Sequence, residues 1–353
     1  MKILVIIPTL HRGGAERVVS RLSQVWQKAH EVFVAVFDVS KVTYSYGGNL
    51  VDLKCPPINS IGGKTVNAIR RVFRLAALIR KEKPDCIISF MESANFPVIQ
   101  AASLTGKLAC LTVSVRVDPK RLLPLHQYLI PWFYHFPKRV VAVSKGVSLS
   151  LENMGVPKLK LCFIPNPAPD GPRKIENKKN THLPPRYILG VGRLHPQKGF
   201  DRLMTAFAGI GDPNLHLVIL GEGDERANLE NLAKEFKISE RLMMPGAVDD
   251  VAAWYENALC FVLSSRYEGW PNVLMEAMHY RCPVISFDCR YGPDEIIESG
   301  VSGILVPEGD IHALRVAILE IINNDTLRGK FVNESLHKLK QFDVNSISKM
   351  WLD

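Results

Sequence analysis

The 353-residue chain has a formal charge of +9, with 47% apolar and 22% charged residues; it is too long for one ordinary domain and too evenly mixed for a fibrous or largely disordered protein. No apolar run reaches the ~20 residues of a membrane span, and Met1 to Pro8 is too short for a signal peptide and stops at a proline, so a cytoplasmic location is expected. Seven cysteines (Cys55, Cys86, Cys110, Cys162, Cys260, Cys282 and Cys289) are odd in number and contain no C-x-x-C pair, which argues against a disulfide frame or a zinc site and fits a reducing compartment.

From the N-terminus, Lys2 to Pro8 reads as a strand that feeds the loop Thr9-Leu10-His11-Arg12-Gly13-Gly14-Ala15-Glu16-Arg17 and a helix with Val18, Val19 and Leu22 on one face. A glycine-rich strand-to-helix turn lets the backbone approach a diphosphate closely. The spacing is neither G-x-G-x-x-G nor a P-loop, so dinucleotide and ATP readings lose support. Strands at 31–37, 85–90, 108–115, 140–143 and 161–164 alternate with helical segments, which implies a parallel sheet covered on both faces. Ligands of such sheets sit beyond the carboxyl ends of the strands. Gly13, Glu92, Arg116 and Asp118 all fall there, as candidate binding residues of a first domain.

Two basic stretches interrupt this half. The helix expected over 64–82 places Ile69, Val72, Phe73, Ala76 and Ile79 inward and Lys64, Arg70, Arg71, Arg74, Arg80, Lys81 and Lys83 at or near the surface. Residues 120–139 interleave Lys and Arg with Tyr128, Trp132, Phe133, Tyr134 and Phe136. Trp and Tyr favour headgroup depth and Lys and Arg attract anionic lipid, so an anionic membrane surface is a candidate partner. Residues 1–170 carry 23 Lys and Arg against 10 Asp and Glu; the remainder carries 21 against 25. A basic first half suits an anionic partner, either a membrane surface or nucleic acid.

Pro165-Asn166-Pro167-Ala168-Pro169 and the polar run 170–181 read as a linker, so the expected domains are 1–167 and 168–340, with the tail 341–353 packing back on the first. In the second domain, strand 187–191 ends in Gly192-Arg193-Leu194-His195-Pro196-Gln197-Lys198-Gly199-Phe200-Asp201. There Arg193 offers two-point hydrogen bonding and Lys198 a compact charge for a diphosphate. Strands at 215–220 and 242–246 follow. The apolar run Leu259-Cys260-Phe261-Val262-Leu263 is then followed by Ser264-Ser265-Arg266-Tyr267-Glu268-Gly269-Trp270-Pro271-Asn272-Val273-Leu274-Met275-Glu276. Pro271 suits a helix start, and Pro283 forbids continuation. Glu268 is therefore expected in a strand-to-helix turn and Glu276 inside the helix, on either side of a helix N-terminus that favours anions. Taken alone, two such glutamates would be solvated surface residues.

Their neighbours give them another reading. Glu268, Gly269 and Glu276 resemble the E-x7-E motif of family-4 retaining glycosyltransferases. Gly13-Gly14-Ala15-Glu16-Arg17 and Gly192-Arg193-Leu194 through Lys198-Gly199 to Asp201 resemble that family's opening and donor-diphosphate loops, in the same order along the chain. The resemblance implies a GT-B fold: α/β, two Rossmann-like doubly wound parallel-sheet domains with the active site in the cleft between them. It implies Glu268, Arg193 and Lys198 as catalytic residues. It also implies that Gly13, Gly14, Gly269, Trp270, Pro271, Asn272, Val273 and Glu276 bind substrate, with Glu276 on the ribose and Glu92, Arg116 and Asp118 on the first-domain side. Where many relatives place a histidine, this chain has Arg116. Overall the resemblance is to bacterial transferases of N-acetylgalactosamine and related hexoses. A UDP-sugar is the implied donor and a polyprenyl-diphosphate-linked glycan the implied acceptor, as in O-antigen, capsule or protein-glycan assembly. No D-x-D sequence occurs and Arg193 and Lys198 can do a metal's work, so no metal is expected; the resemblance implies no cofactor, and with no RNA-stacking motif nucleic acid is not expected as a partner. The expected place is the cytoplasm, peripheral on the inner face of the cell membrane; the abrupt end after Asp353 fits a short missing tail.

Two alternatives stand beside this. A sugar-nucleotide 2-epimerase shares the GT-B fold but needs another acid/base set, and would show no acceptor-dependent transfer. A non-catalytic nucleotide or nucleic-acid binder would use the basic face and bind RNA with strong salt dependence.

Overall fold

The computed structural model describes all residues except Arg12, Lys41, 58–60, 170–182 and Asp249. The linker expected over 170–181 lies outside the described residues.

The contacts divide the chain into two units, Met1–Pro167 with Val344–Asp353, and Ala168–Asp343. The first begins β1 (Lys2–Ile7), α1 (Gly14–Trp26), β2 (Glu31–Val36), β3 (Asn49–Asp52), α2 (Ile61–Glu82), β4 (Cys86–Phe90) and α3 (Glu92–Leu104). It continues with β5 (Leu111–Val115), α4 (Pro124–Phe133), β6 (Arg139–Ala142), α5 (Lys145–Asn153) and β7 (Leu161–Phe163). Its seven strands run parallel in the order β3-β2-β1-β4-β5-β6-β7. β1 reads as an unbroken apolar run because helices cover both faces of a parallel sheet: Ile3 to Ile7 are all buried. In α1, Val18, Val19, Leu22 and Trp26 recur at helical spacing and turn into the same core.

The second unit runs β8 (Tyr187–Val191), α6 (Phe200–Ala208), β9 (His216–Leu220), α7 (Arg226–Glu235), β10 (Leu242–Gly246), α8 (Ala252–Asn257), β11 (Cys260–Leu263) and α9 (Asn272–His279). It ends with β12 (Val284–Asp288), α10 (Pro293–Ile296), β13 (Ile304–Pro307), α11 (Ile311–Ile322) and α12 (Asp325–Leu339). Its six strands are parallel in the order β10-β9-β8-β11-β12-β13. The last helix, α13 (Val344–Leu352), belongs to the first unit, where it packs on α1. Trp26 Nε1 donates to the Ser348 carbonyl (3.2 Å), and Arg139 donates to the Met350 (3.3 Å) and Trp351 (2.7 Å) carbonyls, capping the helix end with a cation.

Each sheet reverses its strand order once, at β1/β4 and at β8/β11. Those are the points where loops diverge and a crevice opens at the carboxyl ends of the strands.

Several expectations change. Ile69 and Phe73, expected inward, are 54% and 63% exposed; α2 is seated instead by Val72, Leu75, Ala76 and Ile79. The reason is a tilt of the buried stripe toward the arginine side. Arg71 lies over the Phe37 ring (4.2 Å) and donates to the Cys55 carbonyl, while Arg74 donates to the Leu53 and Lys54 carbonyls. β5 begins at Leu111, because 108–110 form a 3-10 turn. The short edge strand β3 and the helix α12 have no counterpart in the sequence reading.

Candidate active site

In the second unit, the loops after β8 and β11 are stitched together. The Arg266 amide donates to the Gln197 carbonyl (2.8 Å) and Gln197 Nε2 to the Tyr267 carbonyl (3.0 Å). Ser264 Oγ donates to the Lys198 carbonyl (2.9 Å), and Arg266 grips Asp201 with two bonds (2.9 and 2.6 Å). Gly199 closes the 3-10 turn Pro196–Lys198 in the left-handed conformation (φ 62°), and a Cβ there would lie 2.2 Å from the Ser264 carbonyl oxygen. This close approach is what glycine permits.

The result is a fixed pair. Lys198 Nζ donates to Glu268 Oε1 (2.6 Å), which also accepts from Ser265 Oγ (2.7 Å), and the Glu268 amide donates to the Arg290 carbonyl (3.0 Å). Both side chains are largely buried, at 19% and 8% exposure. An ammonium has three donors, so Lys198 keeps two for an anion while Glu268 fixes its position. Arg193 is exposed and has no hydrogen-bond or ion-pair partner among the described residues. Beyond Glu268, Gly269 and Pro271 are buried, and Asn272 and Val273 form the first positions of α9. Glu276 is buried within that helix. Trp270 turns inward, its ring edge-on to Phe342 at 5.4 Å. Gly292 (φ 98°) backs this turn, since a Cβ there would meet Pro271 Cδ at 2.8 Å.

In the first unit, Gly13 is the extended N-cap residue of α1 and Gly14 its exposed first residue. The Glu16 carboxylate folds back over Gly13, where a Cβ would lie 2.2 Å from Oε2, and Thr9 Oγ1 donates to Glu16 Oε1 (3.4 Å). Burial raises the Glu16 carboxyl above the usual carboxylate range.

Glu92 opens α3 and is 6% exposed, following Met91 at φ 74°, ψ 146°, a conformation that costs a non-glycine residue free energy. Arg116 is half-buried beyond β5. Its Nη1 donates to Ser114 Oγ (3.3 Å) and its guanidinium lies 5.5 Å from the centre of the Phe90 ring, on which Trp351 also packs (5.0 Å). Burial lifts the Glu92 carboxyl to about 7, against the opposing pull of Arg116, and brings the Arg116 guanidinium down to about 9 against the pull of Glu92. Asn95 donates to the Ser114 carbonyl and to Tyr134 Oη, both at 3.0 Å. Asp118, buried, accepts from the Lys120 amide (3.0 Å).

The structure therefore brings Lys198 and Glu268 into contact, and sets Glu92 and Arg116 within electrostatic reach of each other in the other unit. Ser265, Glu16 and Asn95 escaped the sequence reading, and Tyr134, read there among the aromatics of a membrane-facing stretch, is instead fully buried, its ring held inward by the Asn95 bond. Ser265, adjacent to the motif, is the one a local pattern marks; Asn95 and Tyr134 are 39 residues apart and meet only in the fold. Among the described residues no group of three or more His, Cys, Asp or Glu is arranged to hold a metal ion.

Comparison with known proteins adds to this geometry. The family model described as Glycosyltransferase Family 4 matches residues 12–170, and that described as Glycosyl transferases group 1 matches residues 172–338. The chain is 27% identical, over all of its length and 97% of the relative's, to the GalNAc-alpha-(1->4)-GalNAc-alpha-(1->3)-diNAcBac-PP-undecaprenol alpha-1,4-N-acetyl-D-galactosaminyltransferase of Campylobacter jejuni. It is 25% identical to the amylovoran biosynthesis glycosyltransferase AmsD of Erwinia amylovora, over all of this chain and 99% of that one. In fold it is similar to Anabaena HepE, solved in complex with UDP and glucose, at 18% identity and TM-score 0.83 over 99% of this chain and 98% of that one.

Proposed function

The chain belongs to the GT-B glycosyltransferases that join a family-4 first domain to a group-1 second domain, and from that premise we propose that it moves an N-acetylhexosamine or hexose from a UDP-sugar to a polyprenyl-diphosphate-linked saccharide, with retention, in the assembly of a cell-surface polysaccharide or glycan. The observation that carries the reading is the buried Lys198–Glu268 pair (2.6 Å) beside the start of α9. Breaking the anomeric C–O bond leaves its electron pair on the departing diphosphate. Lys198, Arg193 and the amides opening α9 supply positive potential to that charge. Glu276 holds the ribose. The acceptor hydroxyl oxygen attacks the same face of the sugar, and its proton passes to the leaving phosphate oxygen, so no covalent sugar intermediate forms on Glu268. With these cations in place the reading carries no metal and no cofactor. A relative named for an undecaprenol-linked saccharide supports the acceptor class, and one named for amylovoran biosynthesis supports the place in glycan assembly.

A peripheral place on the inner face of a bacterial membrane belongs to the same reading. α2 exposes Val66, Ile69 and Phe73, and α4 exposes Leu125, Tyr128 and Trp132, each set at helical i, i+3, i+7 spacing. α2 packs on α3 and α3 on α4. Residues 53–81 and 119–151 contain no Asp or Glu, so these apolar stripes are edged only by cations, the pattern of an interface with anionic lipid. Phosphatidylglycerol vesicles should pellet the protein at low salt, and phosphatidylcholine vesicles should not; equal binding to both would remove the electrostatic part of this reading. The central test is thermal stability with UDP, GDP, ADP and NAD in turn, followed by transfer from UDP-N-acetylgalactosamine to a polyprenyl-diphosphate-linked disaccharide. Stabilisation by NAD, or by none of the four, would overturn the donor assignment.

A further inference from the structure

Among the bonds that stitch the loops after β8 and β11, those of Arg266 grip both ends of one short segment. Its guanidinium donates to the Pro196 carbonyl (2.6 Å) and to both Asp201 oxygens (2.9 and 2.6 Å), and its amide donates to the Gln197 carbonyl (2.8 Å). Lys198 lies between those ends, and Glu268 follows Arg266 by two residues. One residue of the Glu268 loop therefore spans the whole turn that carries Lys198. The core does not call for this contact: the Arg266 and Asp201 side chains are 32% and 46% exposed, and β8 and β11 are already paired in the sheet.

An ion pair this exposed contributes little unless it is bidentate or belongs to a network. This one is both. Beside Asp201, Arg202 pairs with Glu308 of the loop after β13 and lies 5.8 Å from the centre of the Phe287 ring, and Glu308 is within electrostatic reach of Arg266. The hydrogen bond to Asp201 raises the Arg266 guanidinium above its ordinary range. Burial alone would raise the Asp201 carboxyl, but the bonds from Arg266 bring it below the usual carboxylate range, so both partners stay charged. We infer that Arg266 is a positioning residue: by holding Pro196 and Asp201 it fixes the Lys198 turn against Glu268 and keeps the ammonium where charge develops on the departing diphosphate. That last step rests on the transferase reading. Such a residue acts on rate more than on folding, because a misplacement of about 1 Å in the reacting geometry can cost about 10²-fold.

The test asks whether Arg266 acts through Lys198. Steady-state transfer is measured for Arg266→Ala, in the wild-type and in the Lys198→Ala background, with UDP-N-acetylgalactosamine and a polyprenyl-diphosphate-linked disaccharide varied in turn. In the wild-type background kcat/KM for the donor is expected to fall by about 10- to 100-fold, with the acceptor KM within about threefold. In the Lys198→Ala background the same change should cost less than about twofold, since no ammonium remains to be positioned. An equal loss in both backgrounds, a loss confined to the acceptor KM, or no loss in a folded Arg266→Ala protein would overturn the inference. Should Arg266→Ala not fold, Asp201→Asn, which removes the charge and keeps the shape, is read by the same comparison. If the wild type neither binds UDP nor transfers, the transferase reading fails on its own, and the clasp is judged by amide hydrogen exchange of the free protein. The Lys198, Gly199 and Arg202 amides, bonded within this turn, should exchange faster in Arg266→Ala while the strands of the unit do not. Unchanged exchange at those amides, or a rise spread equally over the unit, overturns the clasp.

Discussion

The two charged groups of this enzyme, Lys198–Glu268 in the second unit and Glu92–Arg116 in the first, are built on opposite principles. Glu268 has its Lys198 and Ser265 partners at 2.6 and 2.7 Å, and its loop is tied to the Lys198 loop by backbone and side-chain bonds. Glu92 and Arg116 are drawn together electrostatically but each keeps a buried atom with no hydrogen-bond partner among the described residues. A matched pair holds a fixed charge ready for a leaving group, where preorganisation matters most. An unmatched pair costs the fold stability that a matched one does not.

Four changes test that contrast. Lys198→Ala removes the fixed cation and leaves Glu268 buried without its ion-pair partner; kcat for transfer is expected to fall about 10³-fold, equivalent to about 4 kcal/mol, and a folded variant that keeps most activity would sink the assignment. Gly199→Ala keeps every charge but forces a Cβ against the Ser264 carbonyl at positive φ. A loss of about 3 kcal/mol in unfolding free energy is expected, with a raised KM for the UDP-sugar; denaturant unfolding that matches wild type would mean the stitched loops are not rigid.

Glu92→Gln probes the other principle through pH. The folded carboxyl titrates at about 7, above its ordinary value of 4.5, so the folded state holds the proton more tightly than the unfolded chain. The folded state therefore loses stability as pH rises from about 4.5 to about 7, and below that window the two proteins should be alike. The variant is expected to be more stable than wild type by on the order of 2 kcal/mol at pH 8 and to match it at pH 4.5. A variant less stable at pH 8 would show Glu92 to be a structural group. The smallest effect is expected outside both groups: Tyr128→Ser on the exposed side of α4 should change stability by less than about 0.5 kcal/mol while weakening vesicle binding. A larger loss of stability would make that face a packing surface.

Much of the fold was legible because its signals are local. Unbroken apolar runs such as Ile3 to Ile7 mark buried parallel strands, and Pro271 and Pro283 bracket α9. The Gly192 to Asp201 and Glu268 to Glu276 stretches each run from one strand end into the helix that follows it, so their residue types and spacing alone placed Lys198 and Glu268 at the ends of β8 and β11. Less legible were Ile69 and Phe73, whose exposure depends on where Arg71 and Arg74 find carbonyls 16 to 21 residues away.

By itself the sequence determined the alternation of strands and helices, the basic character of the first half and the charged residues at strand ends, because period, composition and turn chemistry act over a few neighbours. The tertiary structure decided that Lys198 meets Glu268 across 70 residues, that Asn95 meets Tyr134, and that Trp351 from the end of the chain backs the Phe90 ring beside Arg116. It also decided which buried atoms keep no partner. Whether a polar atom is matched depends on groups that only folding brings within 3 Å, and no local pattern carries that information.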